Sequence, residues 1–416
     1  MSARKPSLLF INQHYYPDLA ATAQNLTDLC EYLADLNHEV HVISSQGLYQ
    51  NKSAPLLAYE KHNKVHIHRV KGSSFGRDNN LGRMIDYVTF LFFALLKIIS
   101  LKKFDAVCTL TTPPMLATLG SFIKWFKQSK HIIWSMDLHP DAEVALGMLP
   151  RDYWITDILL RIHRFNFKKA DLIVSLGPYM TERIVAHGVP QEKIREILIW
   201  SNKKDIHVEA KEDCVDGLPN HFKNRFIVQY SGNLGLVHEF ETMCEVMREF
   251  SKDTSIGFVF NGEGPRKKEV TDFIRVHHLT NVALLTYVPI RRLSQSLGKA
   301  DLHWLSLRDD FIGMAVPGKC IGYMASGRPQ LFIGSEDSDN GNFISDADAG
   351  YIINPGDVES IKNVIQKLQK DPETRKEKGF NGRKWFLENA ETKVGCELWA
   401  EAISELFEGK KETVYA

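Results

Sequence analysis

Lys319 closes the run Gly313-Met314-Ala315-Val316-Pro317-Gly318-Lys319, which joins an apolar stretch to a helical one. Pro317 suits the first position of a helix and Gly327 the place just past its end, which predicts a short helix over Pro317–Ser326 with Lys319 in its first turn. A cation there opposes the helix dipole, so it is either simply solvated or answering an anion. Two earlier loops share the order strand, glycine turn, helix: Ser231-Gly232-Asn233-Leu234-Gly235 and Asn261-Gly262-Glu263-Gly264-Pro265. Glycines such as Gly232, Gly262 and Gly318 let backbone come close to a ligand, and amides left open at a helix start attract anions, so phosphate is the natural guest. Arg266, Lys267 and Lys268 follow the second loop and either meet the same anion or form a solvated face.

A second group of polar residues, Asp137-Leu-His139-Pro-Asp141, follows the apolar run His131–Met136. Carboxylates and an imidazole at the end of a strand suit acid–base work or recognition of sugar hydroxyls; the alternative is loop capping. His14, Tyr15, Tyr16 and Asp18 follow the first strand in the same way. No G-x-G-x-x-G follows that strand and no G-x-x-x-x-G-K-[ST] occurs, which disfavours dinucleotide oxidoreductases and P-loop NTPases. No metal site is expected: Asp337-Ser-Asp339 reads as an ordinary loop, and His66 and His68 share a strand face with no evident third ligand. Cys30, Cys108, Cys214, Cys244, Cys320 and Cys396 stand singly, which fits a reduced, cytoplasmic compartment.

These loops need a scaffold of parallel strands. Short apolar runs alternate with helical segments through most of the 416 residues, the pattern of an α/β protein. Strands are expected at Leu8–Asn12, Glu39–Ser44, Lys64–Val70, Ala106–Leu110, His131–Met136, Leu172–Ser175 and Glu196–Ile199. A second series runs through Arg225–Tyr230, Ser255–Phe260, Val282–Thr286, Leu302–Leu305, Gln330–Ile333 and Gly350–Ile353. Helices are expected at Ala23–Leu36 and Tyr153–Lys169. The polar stretch Ser201–Asn224 reads as a linker, so the domains are drawn as 1–205, 222–382 and a helical tail, 383–416, with a cleft between the two domains as the default site. Lys plus Arg number 51 and Asp plus Glu 51, a balance that argues against a nucleic-acid partner. No export signal is evident at the N-terminus. The greasy stretch Ile85–Leu101 contains Asp86 and Lys97 and is too short to span a bilayer. Two readings fit it: a buried crossover helix, or a helix resting in the headgroups of the inner membrane face, flanked by Arg83, Lys102 and Lys103.

In order and spacing, several of these segments together resemble family 4 glycosyltransferases, whose GT-B fold has two Rossmann-like domains facing a central cleft. In the first half the cues are Tyr16-Pro-Asp with Ala23-Gln24, Asn37-His-Glu-Val-His-Val, and Trp134-Ser-Met-Asp-Leu-His-Pro-Asp with Ala145-Leu-Gly-Met-Leu. In the second they are Tyr230-Ser-Gly-Asn-Leu-Gly, Gly262-Glu-Gly-Pro, and Val316-Pro-Gly-Lys with Gly322-Tyr-Met-Ala-Ser-Gly-Arg-Pro. The bacterial polysaccharide branch, with its amino-sugar transferases, is the nearest in character. Departures are visible too. Ala20 and Ala21 stand where the family commonly has glycines, and the frequent Arg and Lys that hold diphosphate fall on Asn233 and His238. The frequent glutamate pair falls on Met314 and Gly322, so Glu263 is a candidate substitute near the ribose and Lys319 for the missing charge.

The resemblance implies a retaining transfer of a sugar from a nucleotide-sugar donor, held by the second domain, to a glycan or lipid-diphosphate-linked acceptor on the first. No separate cofactor is implied. Asp137 or His139 would contact the transferred sugar or the acceptor hydroxyl. The amides of residues 314–319, Met314, Ala315, Val316 and Gly318 among them, and Lys319 would stabilise charge growing on the departing diphosphate. Two rivals remain: a non-catalytic GT-B partner subunit, and a GT-B sugar-nucleotide epimerase.

Overall fold

Runs such as Ser7–Ile11 and Ala106–Thr109 are buried along their whole length, as strands must be when helices cover both faces of a parallel sheet. The computed structural model describes residues 4–18, 20–47, 56–73, 75, 80–214 and 217–408. The chain forms two units, one of the residues up to Leu198 together with those from Gly395 on, the other of Ile199–Val394.

The first unit holds an eight-stranded sheet built from β1 (Ser7–Ile11), β2 (Glu39–Ser45), β3 (Tyr59–His62), β4 (Val65–Val70), β5 (Ala106–Thr109), β6 (Lys130–Trp134), β7 (Leu172–Ser175) and β8 (Ile194–Glu196). Their order is β3-β4-β2-β1-β5-β6-β7-β8, and only β3 runs antiparallel to its neighbour. The strand β3 was not foreseen: its residues are Tyr-Glu-Lys-His at an edge, with no apolar run to announce it. The last strand sits earlier than expected, at Ile194–Glu196.

The second unit has six strands: β9 (Phe226–Ser231), β10 (Ile256–Asn261), β11 (Val282–Leu285), β12 (Leu302–Ser306), β13 (Gln330–Ile333) and β14 (Gly350–Ile353). All are parallel, in the order β11-β10-β9-β12-β13-β14. The order reverses between β9 and β12, and in open α/β sheets ligands settle beyond the carboxyl ends of strands at such a reversal. The sheet is held by fully buried aromatic residues; the rings of Phe258 and Trp304 stack at 5.1 Å. Such a pair adds roughly 1 kcal/mol beyond the area it buries.

The polar stretch read as a linker is packed onto the second unit through Ile206, Cys214, Leu218 and Phe222, all buried. The tail is two helices, Pro372–Asn389 in the second unit and Thr392–Glu408, most of which belongs to the first; residues beyond 408 lie outside the described ones. The six cysteines are all buried, and none of them is in a disulfide among the described residues. Among the described residues no helix is long and apolar enough to cross a membrane.

Candidate functional site

Three of the predicted residues come together where β9 and β12 end. The first loop leaves β9 through Gly232 and returns as far as His238, while the third loop leaves β12 and enters the helix Lys319–Ala325. That helix starts two residues later than Pro317, with Gly318 at its cap, and Gly327 follows its end with φ 69°. Lys319 lies across Gly232: a Cβ on that glycine would sit 2.7 Å from Lys319 Cε. Its ammonium is 5.3 Å from the centre of the Tyr230 ring and 2.7 Å from His238 Nε2.

The protonation of this contact follows from its far side. His238 Nδ1 is 2.5 Å from the carbonyl oxygen of Ser306, which can only accept, so Nδ1 carries the hydrogen and Nε2 offers its lone pair to the lysine. His238 is held neutral because burial, reinforced by the Lys319 charge, takes its pKa well below the ordinary value. Burial likewise pushes the Lys319 pKa down to about 7. The cation is therefore aimed by a neutral acceptor, and among the described residues no carboxylate pairs with it.

The surrounding amides divide. Those of Met314 and Ala315 both donate to Phe311 O, so they are satisfied inside the protein. Among the described residues the amides of Val316, Gly318 and Lys319 donate to no other group. Gly318 has a packing reason to be glycine, since its Cβ would lie 2.5 Å from Ile199 Cδ1.

The second loop serves the first rather than lying open. Gly232 N–H donates to Asn261 O and Leu234 N–H to Glu263 O, while a Cβ on Gly262 would be 2.0 Å from Gly232 O. The Asn233 side chain fills the space beside Gly264. Arg266 is spoken for: it donates to Glu269 Oε2 at 2.6 Å, to Glu241 Oε1 at 2.5 Å and to His238 O. Glu263 pairs with Lys267 at 2.6 Å, and Lys268 with Asp272 at 2.6 Å. The three basic residues after the second glycine turn are thus engaged with carboxylates, and Arg266 acts by bracing the backbone of His238. Met314 is buried, and Gly322 lies within the helix where a Cβ would meet only Ile206 Cδ1, at 3.7 Å.

In the first unit Asp137 and His139 stand beyond the end of β6, beside Thr111, His163 and Asn166 in a small pocket. The amide of Asp137 reaches Thr111 Oγ1 at 3.4 Å. His139 Nδ1 lies 2.6 Å from Glu143 Oε1, four residues on. Burial disfavours charge on His139, but the hydrogen bond and charge of Glu143 outweigh it, and the pKa stays above the ordinary imidazole value. Burial raises the pKa of Asp137, and the neighbouring His139 offsets part of that. Glu143 was missed from the sequence, although its i, i+4 spacing from His139 is a readable signal. At the end of β1, His14 Nδ1 meets Asp18 Oδ2 at 2.9 Å.

Comparison with known proteins agrees with this architecture. The model for the glycosyl transferase 4-like domain matches residues 21–200, and that for glycosyl transferases group 1 matches residues 218–385. The probable glycosyltransferase WbjE of Pseudomonas aeruginosa is 22% identical over 277 residues, 64% of this chain and 66% of that protein. WcaI of Escherichia coli, which bears a colanic acid biosynthesis glycosyl transferase name, is 20% identical over 77% of this chain and 81% of its own. Among solved structures, the sucrose-phosphate synthase of Thermosynechococcus elongatus superposes with a TM-score of 0.76 at 14% identity, covering 98% of this chain and 100% of that one. HepE of Anabaena, in complex with UDP and glucose, does so with a TM-score of 0.71 at 13% identity, covering 96% and 99%. With both halves matched and a parallel core in each sheet, the chain belongs to the family 4 glycosyltransferases and has their GT-B fold.

Proposed function

We propose that the protein moves a sugar from a nucleotide-diphosphate donor to a glycan or lipid-linked saccharide in the assembly of a bacterial surface polysaccharide, with retention at the anomeric carbon. The observation that carries this is the Lys319 ammonium, aimed by neutral His238 at the end of β9 beside the open amides of Val316, Gly318 and Lys319. When the bond from the anomeric carbon to the diphosphate oxygen breaks, the electron pair stays on that oxygen. A cation and N–H donors fixed beforehand stabilise this charge more than the ground state. In this reading they stand in for a metal ion, and no further cofactor is needed. The complex of HepE with UDP and glucose supports a uridine-type donor, and the name of WcaI supports the polysaccharide setting. The acceptor falls to the first unit, with Asp137 and His139 meeting a sugar hydroxyl.

A screen of nucleotide sugars by thermal shift tests the donor, since a ligand that binds only the folded state raises its melting temperature. Lys319→Ala is expected to lower kcat about 100-fold or more while circular dichroism stays unchanged; full turnover in the variant would remove Lys319 from the mechanism. A second reading, a non-catalytic partner subunit, draws on the engagement of Arg266 by Glu241 and Glu269 and on the lack of carboxylates at Met314 and Gly322. Slow hydrolysis of the donor would exclude it.

A further inference from the structure

The helix Asn80–Ser100 is apolar on two opposite faces, and an apolar face on a globular protein calls for a cover. Its inner face, Phe90, Ala94 and Ile98, is buried in the core of the first unit with Leu9, Ile11 and Val107. Its opposite face carries Leu81, Met84, Val88, Phe92, Leu96 and Ile99, each between 46% and 63% exposed. Two neighbouring helices extend this surface. Lys127, on the helix Ala117–Lys127, donates to Ile98 O at 2.7 Å. From the same helix Lys124 donates to Lys169 O at 2.8 Å, at the end of the helix Trp154–Lys169. The middle helix adds exposed Trp125 and Phe126. The third adds Trp154, Ile158 and Phe165, which share one face with Arg161 and Lys168 by helical spacing.

Charge identifies what covers this surface. The three helices carry eight Lys and Arg against two Asp; Lys124 pairs with Asp171 and Lys127 is turned onto backbone carbonyls, and the other six cations still exceed the two carboxylates by four, within a chain of zero formal net charge. Apolar and tryptophan side chains beside Lys and Arg are the composition of an element that lies in the plane of a bilayer interface, with rings among the acyl chains and cations among anionic headgroups. We propose that this three-helix face of the first unit docks on an anionic lipid bilayer without crossing it. A second copy of the chain is a poor fit, because two such faces would bring their positive charges together.

Sedimentation of the full-length protein with vesicles of phosphatidylglycerol and phosphatidylethanolamine tests it. The protein is expected to sediment with these vesicles, to stay in solution with pure phosphatidylcholine, and to be released by salt. Trp125 and Trp154 are 77% and 62% exposed, so their emission should shift to the blue on binding. The double change Arg161→Glu with Lys168→Glu should raise the lipid concentration for half-binding at least about tenfold. The pair Phe92→Ser with Trp125→Ser should remove binding; both pairs alter exposed side chains, and circular dichroism checks that the fold is kept. Failure to sediment with the anionic vesicles overturns the proposal. So does a dimer in the analytical ultracentrifuge that Phe92→Ser with Trp125→Ser dissociates, since a second copy would then be the cover.

Discussion

Burial places the pKa of Lys319 at about 7, so near neutral pH the free protein holds this group on the edge of its charge. An anion bound beside it favours the protonated form and raises that value. Because kcat/KM reports the free enzyme, its value for the donor is expected to fall as the pH rises through about 7, and Lys319→Arg should carry the falling limb upward, since a guanidinium stays charged. A limb that does not move in the arginine variant would assign the titration to another group. The same shift has a consequence for stability. Between the folded value of about 7 and the ordinary lysine value, the unfolded chain binds a proton that the folded chain does not. The lysine's contribution to stability is therefore full above the ordinary value and lost as the pH falls through about 7. Bound diphosphate should compensate in that lower range, so its stabilising effect in thermal melts is expected to be larger at pH 6 than at pH 9.

The elements around this lysine are fitted backbone to backbone. The loop after β10 presses on the loop after β9 so closely that a Cβ on Gly262 would lie 2.0 Å from Gly232 O, and one on Gly264 would lie 2.4 Å from Leu234 O. Neither carbonyl can turn aside as a long side chain would. Gly262→Ala is therefore expected to cost about 1–3 kcal/mol, the range for overpacking. It should also weaken donor binding, because the displaced Gly232 supports Lys319; a variant that melts lower but binds donor normally would separate the two loops functionally. This fitting explains what the sequence could and could not tell. Strands such as Leu172–Ser175 and Gln330–Ile333 were readable to the residue because sheets covered on both faces leave uninterrupted apolar runs. The edge strand Tyr59–His62 was not, because its side chains alternate toward solvent. Lys319 stood out through its place between Pro317 and Gly327, whereas its contact with His238 spans 81 positions and leaves no local trace. The carboxylates that engage Arg266 show the same limit: Glu269 lies within helical reach, but Glu241 is brought in from another helix.

At the scale of the whole chain, the second unit is inserted between two parts of the first, which the chain leaves at Leu198 and re-enters at Gly395. The returning helix Thr392–Glu408 supplies core to the first unit: Trp399 is fully buried, and its ring lies 4.8 Å from that of Trp134, the last residue of β6. Arg195, on β8, ties the same helix down through Glu405 at 2.6 Å. The first sheet is thus completed by residues more than two hundred positions beyond it, and its stability should be separable from that of the second unit. Truncating a large buried aromatic costs about 3–5 kcal/mol, which for a unit of this size corresponds to a fall of roughly 10 °C in melting temperature. Trp399→Ala is expected to lower a calorimetric transition of the first unit by that amount. The rise in melting that a nucleotide diphosphate gives the second unit should persist unchanged, because Lys319, His238 and Gly232 all lie within Ile199–Val394. If Trp399→Ala lowered both transitions equally, or abolished the nucleotide effect, the two units would have to be treated as a single cooperative body in which donor binding draws on the packing of the returning helix.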